Sequence, residues 1–254
     1  MILKPENLNN LSEKEYRAFP YESFSSIKYL LESPKTFQYY RDKPFKGSDS
    51  TLLGTTVHHF LQGNKHLVAY SVIDKRKKEE YSKFQEEFMQ LAGEEGIIVP
   101  KSFEEKVNSI MSNLNSNSKA LNLLDNCKFE VPYFFEVDGV NLKGKVDGIS
   151  DEFLLEIKTS SQATTASEFK EEAKERHYDM QAAMYMHAHE QVSKCRVPNH
   201  YFIVVNTVAP FKVSVYKSSK EFLKGGEQKL YEAVDRYKRY IINGEEYEED
   251  VESI

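Results

Sequence analysis

The chain has 254 residues, a hydrophobic fraction of 40% and a formal net charge of −6 at pH 7. This length predicts one large domain with an ample core, and there is no apolar run of about 18 residues of the kind that crosses a membrane. The two cysteines, Cys127 and Cys195, lie far apart, which excludes a zinc ribbon and a four-cysteine iron–sulfur cluster. Residues 1–16 lack the basic start and apolar stretch of a secretory signal, so we expect a cytoplasmic protein with reduced cysteines.

The negative charge is concentrated near the C-terminus. Residues 244–254 contain six acidic side chains and no basic one, so residues 1–243 carry no net charge. The overall charge argues against a nucleic-acid partner, but a neutral body can still hold a basic groove. We expect an irregular segment at 1–20, one domain at 21–243 and a disordered acidic tail at 244–254. The alternative for the tail is that it covers a basic surface when nucleic acid is absent.

The first half of the chain predicts helices. Ser25 or Ser26 is placed to cap a short helix that ends near Leu31, and Pro34 suits the first turn of the next helix. Residues 42–50 have the composition of a loop. Apolar side chains recur at helical spacing in three further segments, which we predict to be helices: 51–62, 75–92 and 101–124.

The second half of the chain predicts a sheet with helices around it. A capping box formed by Thr165 and Glu168 begins a helix that ends near Arg176. The order of elements predicts an α/β (α+β) fold with a small mixed central sheet flanked by helices. The predicted strands are 128–137, 140–150, 153–158, 200–207 and 211–217, and the remaining helices are 178–192 and 219–242.

A charged hairpin lies within this sheet, at GKVDGISDEFLLEIK (144–158). Side chains alternate along a strand, so Glu156 and Lys158 share one face, and the hairpin brings Asp147 beside them. Two neighbouring carboxylates repel each other unless a cation lies between them. Mg²⁺ or Mn²⁺ takes oxygen ligands, and a lysine beside the ion can orient or deprotonate a water molecule. This set of side chains predicts metal-assisted hydrolysis of a phosphodiester bond.

A simpler interpretation of the hairpin is a solvated ion pair between Glu156 and Lys158 on an exposed strand. Short motifs of this kind often match by chance. The apolar run FLLEIK instead indicates a buried strand, where unpaired charges are costly and are often functional.

His58 is a further candidate, on the helix predicted at 51–62. It follows Gly54 by four residues, and a glycine allows a backbone or a phosphate to approach closely. His59 lies about 100° around the same helix, so at most one of the two histidines reaches the metal site. The alternative is that His58 is an ordinary core or surface residue.

Gln181 and Tyr185 share one face of the helix predicted at 178–192, because they are four residues apart. They are placed to hold a phosphate or the attacking water, although packing of Tyr185 in the core is the competing interpretation. Weaker candidates are Glu136 as a further carboxylate and Ser25, Ser26 and Lys28 as a phosphate site at a helix start. Basic side chains near the motifs can contact a nucleic-acid backbone or simply solubilise the surface: Lys143, Lys145, Lys170, Lys174, Arg176 and His177.

Four motifs, GTTVHHF, GKVDGI, LLEIKTS and YDMQAAMY, occur in the order found in the PD-(D/E)xK nuclease superfamily. The chain resembles its RecE-like (exonuclease VIII) branch and, more distantly, the RecB-type nuclease domain. SxIKYLLESPKTFQYY also looks like the N-terminal element of RecE-like proteins, and the resemblance covers roughly 21–242. It implies a restriction-endonuclease-like core. One departure is that GKV, rather than proline, precedes the acidic motif.

The resemblance implies a role for each matching residue. His58, Asp147 and Glu156 correspond to metal-site residues, with the backbone carbonyl of Ile157 as another ligand. Lys158 would position or activate the water. Gln181 and Tyr185 correspond to the QxxxY motif of RecB-like nucleases.

The implied activity is that of a phage or prophage exonuclease with one or two Mg²⁺ ions, Mn²⁺ being possible in their place. It would digest double-stranded DNA ends in the 5′→3′ direction and leave 3′ single strands for recombination, in the cytoplasm of a bacterium or phage-infected cell. A homo-oligomer, in particular a tetramer, and a single-strand annealing partner are implied in the same way. The alternatives are a repair enzyme or endonuclease of the same superfamily and an inactive DNA-binding module.

Overall fold

The computed structural model describes residues 11–43, 47–73 and 76–247. The helices are α1 Glu13–Ala18, α2 Phe24–Ile27, α3 Pro34–Asp42, α4 Asp49–Leu61, α5 Lys78–Ala92, α6 Phe103–Asn115, α7 Ser118–Asp125, α8 Ala166–Glu175, α9 Tyr178–Ser193 and α10 Lys220–Arg236. The strands are β1 Glu22–Ser23, β2 Val68–Ser71, β3 Ile97–Pro100, β4 Lys128–Val137, β5 Val140–Ile149, β6 Phe153–Ser160, β7 Asn199–Asn206 and β8 Val213–Lys217. No described helix is long and apolar enough to cross a bilayer.

The main sheet is mixed, as the sequence predicts. Its strands run in the order β1, β5, β6, β7, β8, and β4 pairs with β5. The pairs of β4 with β5, β5 with β6 and β7 with β8 are antiparallel, whereas β6 pairs with β7 in parallel. This arrangement, with helices around a small mixed sheet, confirms the predicted fold class.

Two apolar clusters cover the two faces of the sheet. Leu154 of β6 packs with buried residues of α9 and α10, among them Met184 and Leu230. Its neighbour Leu155 packs on the other side with Val57 of α4 and with residues of α6 and α7. Successive strand residues point to opposite faces, and both faces of β6 are buried. The sequence of β6 is therefore mostly apolar.

β5 and β6 part after only two paired positions, Gly148 with Leu155 and Ile149 with Leu154. On its other edge, β5 pairs with β4 along almost its whole length through a tight turn at Asp138–Gly139, where both residues have positive φ values of 47° and 83°. The divergence of β5 from β6 opens the space in which the charged side chains of the hairpin lie.

Several predicted boundaries are wrong for identifiable reasons. The segment predicted as irregular, 1–20, contains α1, which begins with a capping box between Ser12 and Glu15; residues 1–10 lie outside the described part. The short helix after it has its N-cap at Ser23 rather than Ser25 or Ser26, and the Ser26 hydroxyl accepts the Ser23 N–H at 3.1 Å.

The helix predicted at 101–124 is two helices, because the Asn117 side chain accepts the Ala120 N–H and caps α7. The parallel pair of β2 and β3 was not predicted. The closing helix is α-helical to Arg236 and ends in a π-helical turn at Tyr237–Ile242. Most of the acidic tail, 248–254, lies outside the described residues.

Candidate active site

Asp147 lies where β5 and β6 diverge. Its Oδ2 accepts a hydrogen bond of 2.7 Å from the backbone N–H of Ile157, and its own N–H faces Glu156 Oε1 at 3.4 Å. The Asp147 side chain therefore bridges the two strands where direct pairing has stopped. The hairpin brings Asp147 beside Glu156, as the sequence predicts.

His58 and Glu130 complete a cluster with Asp147. Each of the three residues offers one ligand atom, and these atoms all lie within 4.8 Å of one another. His58 Nδ1 is 3.9 Å from Asp147 Oδ1. Two carboxylates and an imidazole form a donor set suited to a divalent ion such as Mg²⁺ or Mn²⁺.

Glu130 was missed in the sequence, although a signal for it was present. The β4–β5 register pairs Phe129 with Gly148 and Val131 with Val146, so Glu130 lies across from Asp147. The predicted strands and the Asp138–Gly139 turn would have given this register.

The backbone of Glu130 is left-handed, with a φ of 54°. This conformation is unfavourable for a residue with a Cβ and is found at functional sites. Gln62 Nε2 donates to Glu130 Oε1 at 2.7 Å, and Lys145 Nζ lies 3.6 Å from Oε2. Desolvation and the negative charge of Asp147 raise the pKa of Glu130 above its ordinary value, which is the repulsion that a cation would relieve.

Helix α4 brings His58 to the sheet through a close contact at Gly54. A Cβ atom at Gly54 would lie 3.1 Å from Thr159 Oγ1 on β6, tighter than an ordinary contact. The atom that approaches this glycine is therefore a side-chain hydroxyl of β6, where the sequence predicted a backbone or a phosphate. His59 is outside the His58, Glu130 and Asp147 cluster.

Glu156 and Lys158 form a buried ion pair beside this cluster. Lys158 Nζ lies 2.7 Å from Glu156 Oε2, and the two side chains are 14% and 1% exposed. Burial and the charge of Asp147 raise the pKa of Glu156, against the opposing effect of Lys158. The Lys158 ammonium also lies 5.0 Å from the centre of the Tyr178 ring. In this arrangement Glu156 is bound to lysine rather than grouped with the three candidate ligands.

Gln181 and Tyr185 face the sheet from α9. Gln181 Nε2 donates to the Tyr185 hydroxyl at 3.3 Å, and both side chains are buried. The Tyr185 ring packs against Gly144 so closely that a Cβ there would lie 2.5 Å from it. Gln181 Oε1 is buried without a hydrogen-bond partner, which leaves it available to a bound group.

Two weaker candidates are placed elsewhere. Glu136 pairs with Asn141 near the β4–β5 turn, six residues along β5 from Asp147, or roughly 20 Å at the usual rise of a strand. Lys143 is buried, and its Nζ donates to the carbonyls of Tyr16, Arg17 and Phe19 at 3.0, 3.0 and 2.7 Å. The predictions of a site carboxylate at 136 and of a nucleic-acid contact at Lys143 are therefore wrong.

Comparison with known proteins places the chain in a family. The family described as "PDDEXK-like domain of unknown function (DUF3799)" matches residues 23–253. The chain belongs to this family. No curated protein matches this PDDEXK-like chain.

A solved structure shows the same fold. A protein from Eubacterium rectale named "Putative exonuclease" has a TM-score of 0.64 to this PDDEXK-like protein, with 13% identity over 97% of this chain and 89% of that one. At this identity the likeness shows the fold alone. A phage related exonuclease from Haemophilus somnus 129PT overlaps 75% of this chain and 94% of its own, with 13% identity and a TM-score of 0.32, too low to support an argument.

Proposed function

We propose that this PDDEXK-like protein is a metal-dependent deoxyribonuclease, and specifically a 5′→3′ exonuclease that acts on double-stranded DNA ends. The observation that carries the proposal is the convergence of His58, Glu130 and Asp147 beside the buried Glu156–Lys158 pair. The polarity, the use of Mg²⁺ and a role in recombination rest on the resemblance to RecE-like nucleases. An annealing partner and a homotetramer are proposals on the same basis.

A divalent ion held by Asp147, Glu130 and His58 would polarise a phosphate and lower the pKa of a bound water. Glu156 and the backbone carbonyl of Ile157 are further ligand candidates on the basis of the resemblance to the PD-(D/E)xK superfamily.

Lys158 supplies a fixed positive charge from β6. Its ammonium bonds to Glu156 at 2.7 Å and can donate to a water or a phosphate oxygen in the same space, which lowers the cost of developing negative charge. On α9, the free carbonyl of Gln181 can accept a hydrogen bond from that water, and Tyr185 holds the Gln181 amide in place.

The test is digestion of linear double-stranded DNA whose strands carry different labels at each end, with Mg²⁺ or with EDTA. The proteins compared are wild type, Asp147→Asn and Glu156→Gln, with Glu136→Gln as a control for an acid distant from the site. We expect Mg²⁺-dependent loss from the 5′ ends in wild type and Glu136→Gln only.

Other outcomes select the alternatives. Cutting of closed circular DNA would replace the exonuclease with an endonuclease. DNA binding without cleavage under any divalent metal would indicate an inactive binding module. Full activity in Asp147→Asn would place the catalytic site elsewhere.

A further inference from the structure

Three tyrosines and two lysines form a continuous series of ring contacts on the N-terminal helices. The rings of Tyr29 and Tyr40 are stacked, with centroids 4.1 Å apart and planes 12° apart, and Tyr39 meets Tyr40 edge-on at 5.1 Å. Lys28 Nζ lies 5.1 Å from the Tyr29 centroid, and Lys43 Nζ lies 4.9 Å from that of Tyr39. We call these five side chains the tyrosine ladder.

The ladder is open to solvent at one end. Tyr39 is 60% exposed and Tyr40 is 43% exposed, although one face of Tyr40 is stacked on Tyr29. Tyr39 also borders an open groove of about 470 Å³, whose other lining residues are Lys35, Gln38, Asp42 and Lys43. A ring as exposed as that of Tyr39 contributes little to the core, so core packing does not explain why an aromatic side chain is present at this position.

The charge around the ladder is opposite to that of the chain as a whole. Residues 28–43 carry four basic and two acidic side chains, in a protein whose net charge is −6. One of the acids, Asp42, is paired with Arg41 at 2.9 Å. The other is Glu32. A local excess of cations among aromatic rings matches a polyanion with flat, stackable groups.

The other end of the ladder approaches the candidate active site. Ile27, the residue before Lys28, packs in one buried cluster with Met180 of α9, and the ring of Tyr178, two residues earlier on α9, lies 5.0 Å from Lys158 Nζ. Burial lowers the pKa of Lys28, and the positive charges of Arg176 and Lys158 lower it further against the opposing charge of Glu32. Arg176 is held by Glu172 at 2.8 Å, and Glu172 accepts the Ser160 hydroxyl at 2.6 Å. Lys28, Arg176 and Lys158 therefore lie between the ladder and the candidate active site, and Arg176 and Lys158 are each paired with a glutamate.

We propose that the tyrosine ladder binds single-stranded DNA by base stacking and leads that strand to or from the site at Lys158. Successive bases would stack on the exposed tyrosines, while Lys28, Lys43 and Arg176 would contact the phosphates. Such binding tolerates any sequence, because every base has a face to stack. It also weakens with salt, because counterions are released from the phosphates.

The inference extends the proposed function, but its test does not depend on cleavage. Binding of a fluorescein-labelled oligothymidylate to the full chain is measured by anisotropy in EDTA, at two salt concentrations. The variants are Tyr39→Ala and Tyr39→Ala/Tyr40→Ala. The matched variants are Tyr39→Phe/Tyr40→Phe, which keeps the rings, and Tyr231→Ala, which removes a 37% exposed tyrosine from α10.

We expect the double alanine variant to bind about tenfold or more weakly and the single variant to show part of that loss. The phenylalanine and Tyr231→Ala variants should bind as wild type does. Quenching of 2-aminopurine in the oligonucleotide, a sign of stacking, should fall with the alanine variants only. Tyr39→Ala keeps the Tyr29–Tyr40 stack, so it remains informative if the double variant is unstable.

Two results would overturn the proposal: unchanged affinity in both alanine variants, or an equal loss in Tyr231→Ala. Unchanged affinity together with an altered oligomeric state would assign the surface to contacts between copies of the chain. Intact binding through the ladder in a protein that does not cut DNA would leave this inference standing and reject the proposed function alone.

Discussion

The carboxylate of Asp147 accepts the backbone N–H of Ile157 at 2.7 Å, at the place where β5 and β6 part. Asp147 Oδ2 thus replaces a hydrogen bond that the two strands no longer make with each other. The other oxygen, Oδ1, lies 3.9 Å from His58 Nδ1. The structural role of Asp147 and its proposed catalytic role can therefore be separated by substitution.

Asp147→Asn should abolish cleavage and leave the protein folded. The asparagine carbonyl can still accept the Ile157 N–H, whereas Asp147→Ala leaves this part-buried donor unpaired at a cost of roughly 1–3 kcal/mol. Urea denaturation in EDTA measures the difference. Equal stability of the alanine and asparagine variants would show that the bond to Ile157 contributes nothing.

Glu130→Gly should stabilise the metal-free protein while weakening metal binding. A left-handed φ costs a residue with a Cβ roughly 1–2 kcal/mol, and glycine avoids that cost. Glu130→Ala loses the carboxylate but keeps the unfavourable backbone, so it should be less stable than Glu130→Gly.

The measurement is the melting temperature with EDTA and with increasing Mn²⁺. A ligand that binds only the folded state raises stability in proportion to the logarithm of its concentration, so wild type and Glu136→Gln should show a rise that both Glu130 variants lose. An undiminished Mn²⁺ effect in both would remove Glu130 from the metal site.

Local pairing made part of the site predictable. Asp147, Glu156 and Lys158 lie on one hairpin, and strand alternation alone brings them together. The position of Glu130 could also have been derived, since the Asp138–Gly139 turn fixes the register of β4 and β5. Its left-handed φ could not, because no local residue pattern requires it.

Distant contacts were not predictable from the pattern. Lys143 lies on a predicted strand that also contains Lys145. Only the folded chain shows that its ammonium group donates hydrogen bonds to backbone carbonyls more than 120 residues earlier. The β2–β3 pair is also non-local, since all of α5 separates two four-residue strands. Short strands joined over such a distance leave little periodic signal.

The stability of the metal-free protein should fall as the pH rises from about 4.5 toward 8. Burial and the charge of Asp147 raise the pKa of Glu156 from 4.5 to about 8. Between these two pH values Glu156 holds a proton in the folded state that it has lost in the unfolded state. The free energy of unfolding therefore decreases as the pH rises through this range. The raised pKa of Glu130 acts in the same direction.

Glu156→Gln should reduce the dependence of stability on pH. The part of this dependence that comes from Glu130 should remain. Thermal melts in EDTA at pH 5, 6, 7 and 8 compare the variant with wild type, and Glu136→Gln serves as the control. An identical slope in Glu156→Gln and wild type would show that Glu156 is already ionised throughout this range.

Lys158→Met should be more destabilising than the loss of both members of the ion pair. At pH 9, above the pKa of about 8 at which Glu156 loses its proton, removing the lysine leaves this side chain, 1% exposed, without its cation, at a cost of roughly 3 kcal/mol. In Glu156→Gln/Lys158→Met no charge remains, so stability should partly recover. Urea denaturation of the four proteins gives the coupling energy. Additive effects would mean that the two side chains do not interact in solution, and Lys158 would then be free to contact substrate.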